Sequence, residues 1–253
     1  MTAPALEVRD LSVRYGGVQA LKDVDLAVRP GALVGLIGPN GAGKTTLIDA
    51  VGGFTPATGS VRIAGDEVSG LAPHERARRG LARTWQAADL FDDLSVRENL
   101  TVAADRPTLR AAARELLTGR APTLDAVDHT LALLDLEELA DRAADELTQG
   151  QRKLVGVARG LVARPRVLCL DEPAAGLDTS ESRELGRRLR SVADQGTALL
   201  LVDHDMGLVL SVCEEVVVLN FGAVIARGTP DEVRADPEVV EAYLGRAAEE
   251  VTG

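Results

Sequence analysis

The sequence predicts an α/β protein built on a parallel sheet. Three observations predict it: strand-length apolar runs alternate with helical patterns, a glycine-rich turn joins one such run to a helix, and another such run ends in paired acids. The 253 residues are 45% hydrophobic and 26% charged, which excludes collagen-like, disordered and small disulfide-stapled chains. That length suits one large domain, or a domain with a subdomain.

Leu6–Val13 and Leu21–Val28 mix apolar and polar positions with β-branched residues and read as strands. Pro30-Gly31 marks a turn before a third strand, Ala32–Ile37. Gly38-Pro39-Asn40-Gly41-Ala42-Gly43-Lys44-Thr45-Thr46 follows without a spacer, and Leu47–Val51 continue with helical spacing. Between Leu94 and Leu147, three Ala- and Leu-rich stretches (Val96–Ala104, Leu109–Leu117 and Leu124–Leu134) are separated by Arg106-Pro107 and Gly119–Pro122, the pattern of a helical insertion. A helix over 151–163 leads through Arg164-Pro165 to a strand at Val167–Leu170, and a second helix-strand unit gives Ala198–Val202. Val216–Leu219 is a further strand-sized run. The tail carries a helix after Pro230 and another from Asp236-Pro237 to near Gly245.

No apolar run approaches the ~18–20 residues that span a bilayer. The opening Thr2-Ala3-Pro4-Ala5 lacks the basic and apolar regions of a secretory signal, so a cytoplasmic chain is expected. Cys169 and Cys213 sit in apolar surroundings without ligand spacing and read as buried hydrophobes. The net charge is −11 and aromatics are 2%, so the basic, stacking surface of a nucleic-acid or anionic-lipid binder is missing. Any membrane link is therefore expected to run through a protein partner.

The chemistry concentrates at two places. In Gly38-x-x-x-x-Gly43-Lys44-Thr45, successive backbone N–H groups and a helix N-terminus can cradle phosphates where no side chain obstructs. Lys44 adds a cation for the β- and γ-phosphates, Thr45 offers a hydroxyl to Mg²⁺, and Gly41 and Gly43 let the chain turn closely about the anion. Val167-Leu168-Cys169-Leu170-Asp171-Glu172-Pro173 sets two acids at the end of a buried strand, where a parallel sheet opens its ligand crevice. Asp171 would bind Mg²⁺, and Glu172 would take a proton from, or orient, the attacking water. Alone, those acids read equally well as a solvated turn; beside the phosphate loop, the chemical reading prevails.

Over nearly all its length the chain resembles the ATP-binding subunits of ABC transporters. That resemblance implies a P-loop nucleoside-triphosphatase (RecA-like) core with an antiparallel β subdomain and a helical subdomain, all within a single ATP-binding domain over 1–253. The nucleotide-binding core is expected at 1–85 and 151–228, the helical subdomain at 86–150 and a C-terminal helical tail at 229–253. ATP and Mg²⁺ are the implied cofactors. Tyr15 is similar to the family's adenine-stacking aromatic, a half-buried strand tyrosine being the other reading. Gln86 resembles the glutamine that reaches Mg²⁺ and the attacking water, and His204 resembles the switch histidine at the γ-phosphate. Leu147-Thr148-Gln149-Gly150-Gln151 resembles the family signature, which caps the γ-phosphate held by a second subunit in a head-to-tail dimer; Thr148, Gly150 and Gln151 are the implied contacts. Gln149 stands where the family has glycine, and would be strained by ~1–2 kcal/mol if that position required φ > 0. Ala175-Gly176-Leu177-Asp178 resembles the D-loop at the dimer interface.

The stretches Gly80–Gln86, Leu90-Phe91, Leu94–Asn99, Val202–Met206, Gly228-Thr229-Pro230 and Ala242-Tyr243-Leu244-Gly245 resemble the branched-chain (hydrophobic) amino acid uptake branch. This implies two transmembrane permease subunits as partners, and attachment through them to the inner face of the cell membrane. Urea/amide importers and the lipopolysaccharide-export ATPase share much of this pattern. A soluble ABC ATPase acting on DNA or ribosomes is the competing class. The single cassette, short insertion and acidic balance speak against it, and a nucleotide kinase would leave the motifs after Gln86 unexplained.

Overall fold

The computed structural model describes residues 3–84, 90–104 and 122–250. Two sheets organise it. The first is four-stranded and antiparallel, in the order β2-β1-β4-β5, from β1 (Leu6–Tyr15), β2 (Val18–Val28), β4 (Thr58–Ile63) and β5 (Asp66–Glu67). The second has six strands in the order β10-β9-β3-β8-β7-β6, from β3 (Leu33–Ile37), β6 (Leu81–Arg83), β7 (Val167–Asp171), β8 (Ala198–Val202), β9 (Glu215–Asn220) and β10 (Ala223–Gly228). Its pairings are parallel except β9 with β10, which are joined by a tight turn.

The helices are α1 (Lys44–Gly52), α2 (Pro73–Arg78), α3 (Val96–Ala104), α4 (Pro122–Leu133), α5 (Gln149–Leu161), α6 (Thr179–Asp194), α7 (Met206–Val212), α8 (Pro230–Ala235) and α9 (Pro237–Glu250). The parallel strands β3, β7 and β8 are buried throughout, so their side chains must alternate between two covered faces. On one face Leu36, Cys169, Leu200 and Val217 join α1 and the antiparallel sheet in one apolar cluster. On the other Leu168, Leu170, Leu199, Leu201 and Val218 meet residues of α3–α7. Gly35 is needed where α7 crosses β3, because a Cβ there would strike the Val209 side chain.

Among the described residues the expected elements form, with shifted bounds. The helix expected over 151–163 begins at Gln149, β7 extends to Asp171, and the last helix runs beyond Gly245 to Glu250. The stretch Leu109–Leu117 lies outside the described residues. Periodicity did not mark β4, β5, α2 or β6. Two of these, β5 and β6, have only two and three residues, too few to carry a period of their own. Both cysteines are buried and free, and burial pushes the Cys169 thiol up to about 12. Among the described residues, no helix is long and apolar enough to cross a membrane.

Candidate functional site: a phosphate-loop cleft

Parallel strands place their C-terminal ends along one edge, and here that edge carries the loop after β3, the two acids at the end of β7 and Asp203 after β8. The loop from Gly38 to Gly43 takes backbone conformations that only glycine adopts cheaply. Gly38, Gly41 and Gly43 have φ of 155, 78 and 107°. A Cβ on Gly38 would run into the Leu219 carbonyl oxygen, and one on Gly43 would lie 2.9 Å from the Ala20 carbonyl oxygen. The β9–β10 turn clamps the loop from outside, with the Gly222 N–H donating to the Ala42 carbonyl at 2.9 Å.

Lys44 opens α1 and is buried beneath the loop. Its Nζ donates to the carbonyl oxygens of Gly38 at 2.6 Å and Pro39 at 3.1 Å, so the ammonium is held in place. Gly43 is the N-cap residue of α1, and among the described residues no side chain caps that N-terminus. A cleft of about 390 Å³ opens over this helix end, lined by Asn40, Gly41, Gly43, Lys44, Thr45 and Thr46 from the loop and helix, and by Glu172 from across the sheet. An uncapped helix N-terminus with a fixed ammonium at its mouth suits an anion, and phosphate groups above all.

Asp171 ends β7 and is 2% exposed. Its Oδ2 accepts from Arg83 Nη2 at 2.9 Å, whereas its Oδ1 is buried without a hydrogen-bond partner among the described residues. An unpartnered buried carboxylate oxygen is costly and suits a cation. Among the described residues no group of three or more His, Cys, Asp and Glu side chains converges on a metal position. That is compatible with Mg²⁺, which commonly takes one or two carboxylates and completes its shell with water and substrate phosphates.

Glu172 adopts φ of 48°, a left-handed conformation costing a non-glycine residue ~1–2 kcal/mol. Its backbone N–H donates to the Val202 carbonyl at 2.7 Å, and the sheet edge thereby holds the strained residue. His204 Nδ1 lies 3.9 Å from Glu172 Oε2 and 3.6 Å from Asp203 Oδ1. Fully buried Asp203 is anchored by the backbone N–H groups of Ala174 and Asp205, each at 3.0 Å, which ties the turn after β7 to that after β8.

Thr148 caps α5: its hydroxyl accepts from the Gln151 N–H at 3.3 Å, and Gln151 Oε1 accepts from the Thr148 N–H at 3.0 Å. Gln149 is the first helical residue and is not among those with positive φ, so the strain considered for it does not arise. Gly150 is buried where a Cβ would come within 2.7 Å of Glu181 Oε1. Gly176, at φ 79°, leaves room for the Gln149 amide, since a Cβ there would lie 2.5 Å from its Nε2. The segment resembling the signature therefore packs against the segment resembling the D-loop within one chain.

Not every expected residue faces the cleft. Tyr15 is half-exposed at the end of β1, with its hydroxyl 3.3 Å from Thr55 Oγ1, and is not among the lining residues. Val18, Gln19, Ala20 and Phe221 line that part of the wall. Phe221 sits at φ 44° in the β9–β10 turn, where no sequence motif marked it. Gln86 lies outside the described residues. Arg83, whose guanidinium donates to Asp49 Oδ1 as well as to Asp171, carried no signal either, because an arginine three residues before a glutamine motif does not announce partners far along the chain. Tyr243 in α9 is hydrogen-bonded by the backbone of Gly38, and burial pushes its hydroxyl up to about 12.

Comparison with known proteins adds the following. A family model described as ABC transporter matches residues 21–175, and one described as branched-chain amino acid ATP-binding cassette transporter matches residues 223–249. The high-affinity branched-chain amino acid transport ATP-binding protein BraF of Pseudomonas aeruginosa is 40% identical, over 98% of this chain and 100% of that protein. The protein of the same description in Escherichia coli, LivG, is 37% identical over 98% of this chain and 100% of its own length. A solved ATP-binding cassette of an ABC transporter, in its ADP conformation, superposes with a TM-score of 0.83 at 29% identity, covering 96% of this chain and 100% of that one.

Proposed function

The chain belongs to the ABC transporter ATP-binding family, and from that premise we propose that it is the ATP-hydrolysing subunit of an importer for branched-chain amino acids, working as one of a head-to-tail pair on two membrane permeases. One observation carries the enzymatic part: Lys44, Thr45 and Glu172 line the same cleft above the open N-terminus of α1. The cargo reading rests on the match at 223–249 and on the resemblance to BraF and LivG.

The loop amides and Lys44 hold the β- and γ-phosphates, and Val18, Ala20, Phe221 and Tyr15 are the candidates for the base. Thr45, Asp171 and Gln86 are the residues that would hold Mg²⁺, which when bound offsets charge on the phosphate oxygens. Glu172 orients the attacking water and receives its proton, and His204, close to the Glu172 carboxylate, is assigned to the γ-phosphate. Water oxygen bonds to the γ-phosphorus as the bond to the β–γ bridging oxygen breaks, leaving ADP and phosphate. Thr148, Gly150 and Gln151 are assigned to the γ-phosphate held by the partner subunit, so ATP bridges the pair and hydrolysis removes the bridge. The net charge of −11 speaks against nucleic acid as a partner, and the resemblance to the family assigns the chain to the cytoplasmic side of the membrane, held there through the permeases.

Purification of the tagged chain from native membranes, followed by Mg²⁺-dependent ATP hydrolysis and leucine uptake in reconstituted vesicles, tests this reading. Co-purifying permeases and leucine uptake that stops with Glu172→Gln are expected. Recovery with ribosomes or DNA and no membrane protein would overturn the transport reading. A permease complex indifferent to leucine, isoleucine and valine would overturn the cargo.

A further inference from the structure

We propose that Arg83 is the positioning residue for the magnesium carboxylate, acting as a clamp that orients Asp171 and ties it to α1. The inference rests on the nucleotide reading above and concerns how that site is held.

Arg83 ends β6 and its side chain is 8% exposed, so its guanidinium acts where water offers little competition. One nitrogen, Nη2, donates to Asp171 Oδ2 at 2.9 Å. The other, Nη1, donates to Asp49 Oδ1. The two carboxylates come from different elements: Asp171 from the end of β7, and Asp49 from α1, the helix that opens with Lys44 and Thr45. The clamp therefore spans the helix carrying the phosphate-binding ammonium and the candidate hydroxyl ligand, and the strand carrying the candidate carboxylate ligand.

Its consequence lies in which oxygen of Asp171 is taken. The terminal torsion of an aspartate is broad, so its backbone alone leaves the carboxylate plane loosely defined. The bond from Arg83 claims Oδ2, while Oδ1 is buried and has no hydrogen-bond partner among the described residues. A carboxylate held by one oxygen with the other left as a bare acceptor is arranged for a cation that arrives with the nucleotide. Guanidinium suits the task because its rigid planar fork reaches two carboxylates in fixed directions, which a lysine ammonium on its flexible stem cannot reproduce. A purely structural ion pair between helix and sheet would use the same residues, but it would not make nucleotide affinity depend on Mg²⁺ through Arg83.

The distinguishing experiment measures binding of a fluorescent ATP analogue to the full chain at increasing Mg²⁺ and in excess EDTA, with Mn²⁺ paramagnetic resonance as a direct readout of the bound ion. In Arg83→Lys, affinity in EDTA should stay at the wild-type value while the Mg²⁺ concentration for half-maximal enhancement rises about ten-fold, the usual scale for losing an outer partner of a metal ligand. Asp49→Asn removes only one arm of the clamp and should raise it by less. An unchanged half-maximal Mg²⁺ concentration in folded Arg83→Lys would overturn the proposal, as would equal loss of affinity with and without Mg²⁺. Should Arg83→Lys fail to fold by circular dichroism, Asp49→Asn decides by the same criterion. A wild-type chain that binds no ATP would instead overturn the nucleotide reading itself.

Discussion

The helices α1 and α5 both begin at segments assigned to phosphate, and they begin in opposite ways. At α1 the N-cap is Gly43, and among the described residues no side chain caps the first turn and the only buried lysine lies beneath the preceding loop. At α5 the N-cap is Thr148, exposed and engaged in a reciprocal capping box with Gln151. The first arrangement leaves helix donors to a ligand and supplies the countercharge from the same chain. The second satisfies its own donors first. On the proposed reading, the first end would serve affinity and the second recognition by a partner subunit.

The largest effect should come from the residue across the cleft from α1. Glu172→Gln should lower ATP turnover by about 10²–10⁴-fold while leaving nucleotide affinity intact, measured by phosphate release and equilibrium binding. Wild-type turnover in that variant would remove Glu172 from the chemistry and leave the cleft a binding site alone. Lys44→Ala attacks the affinity end itself. Losing a charge-assisted contact of ~1.5–3 kcal/mol should weaken ATP binding by about 10–150-fold. Retained affinity would show that the loop amides suffice and that the contrast with α5 is overstated.

Thr148→Ala tests the other end. It should cost ~1 kcal/mol of stability through the lost cap, read by denaturant melts, and slow hydrolysis by the assembled pair without altering ATP affinity of the isolated chain. An equal fall in isolated-chain affinity would break the comparison, since it would mean that α5 serves its own nucleotide. The smallest effect belongs to Gln149→Gly. Glycine in the first helical turn should destabilise by ~0.5–1 kcal/mol and leave nucleotide binding unchanged, because Gln149 already adopts a relaxed helical conformation. A gain in stability would mean that its contact with Gly176 is strained.

Local chemistry explains which parts of the site were legible before any coordinates. The run Leu33–Ile37, the glycine loop and α1 are contiguous, so strand, turn and helix each carry their own signal in one short window. The acids at the end of β7 were legible for the same reason, and the Thr148-x-x-Gln151 pair carries the spacing of a capping box. The relaxed state of Gln149 was not legible, because the position had first to be placed inside the helix. Phe221 was not legible either. Its place in the cleft wall follows from a turn that returns to the phosphate loop through the bond from Gly222 to Ala42, and nothing around Asn220-Phe221-Gly222 announces that meeting.

What the sequence by itself determined about this protein is the chemistry that neighbours in the chain can encode: an anion-binding loop between strand and helix, two acids at a strand end, and alternation that commits the chain to a parallel sheet. Tertiary structure alone decided which distant groups complete those parts. Arg83 reaches partners 34 and 88 positions away, and only the packing of β6 beside β7 and of α1 over that sheet brings them within a guanidinium's span. Backbone propensities and periodicity act over a few residues, whereas a buried ion pair is selected by the fold that desolvates it, so its members carry no mark until the chain has closed around them.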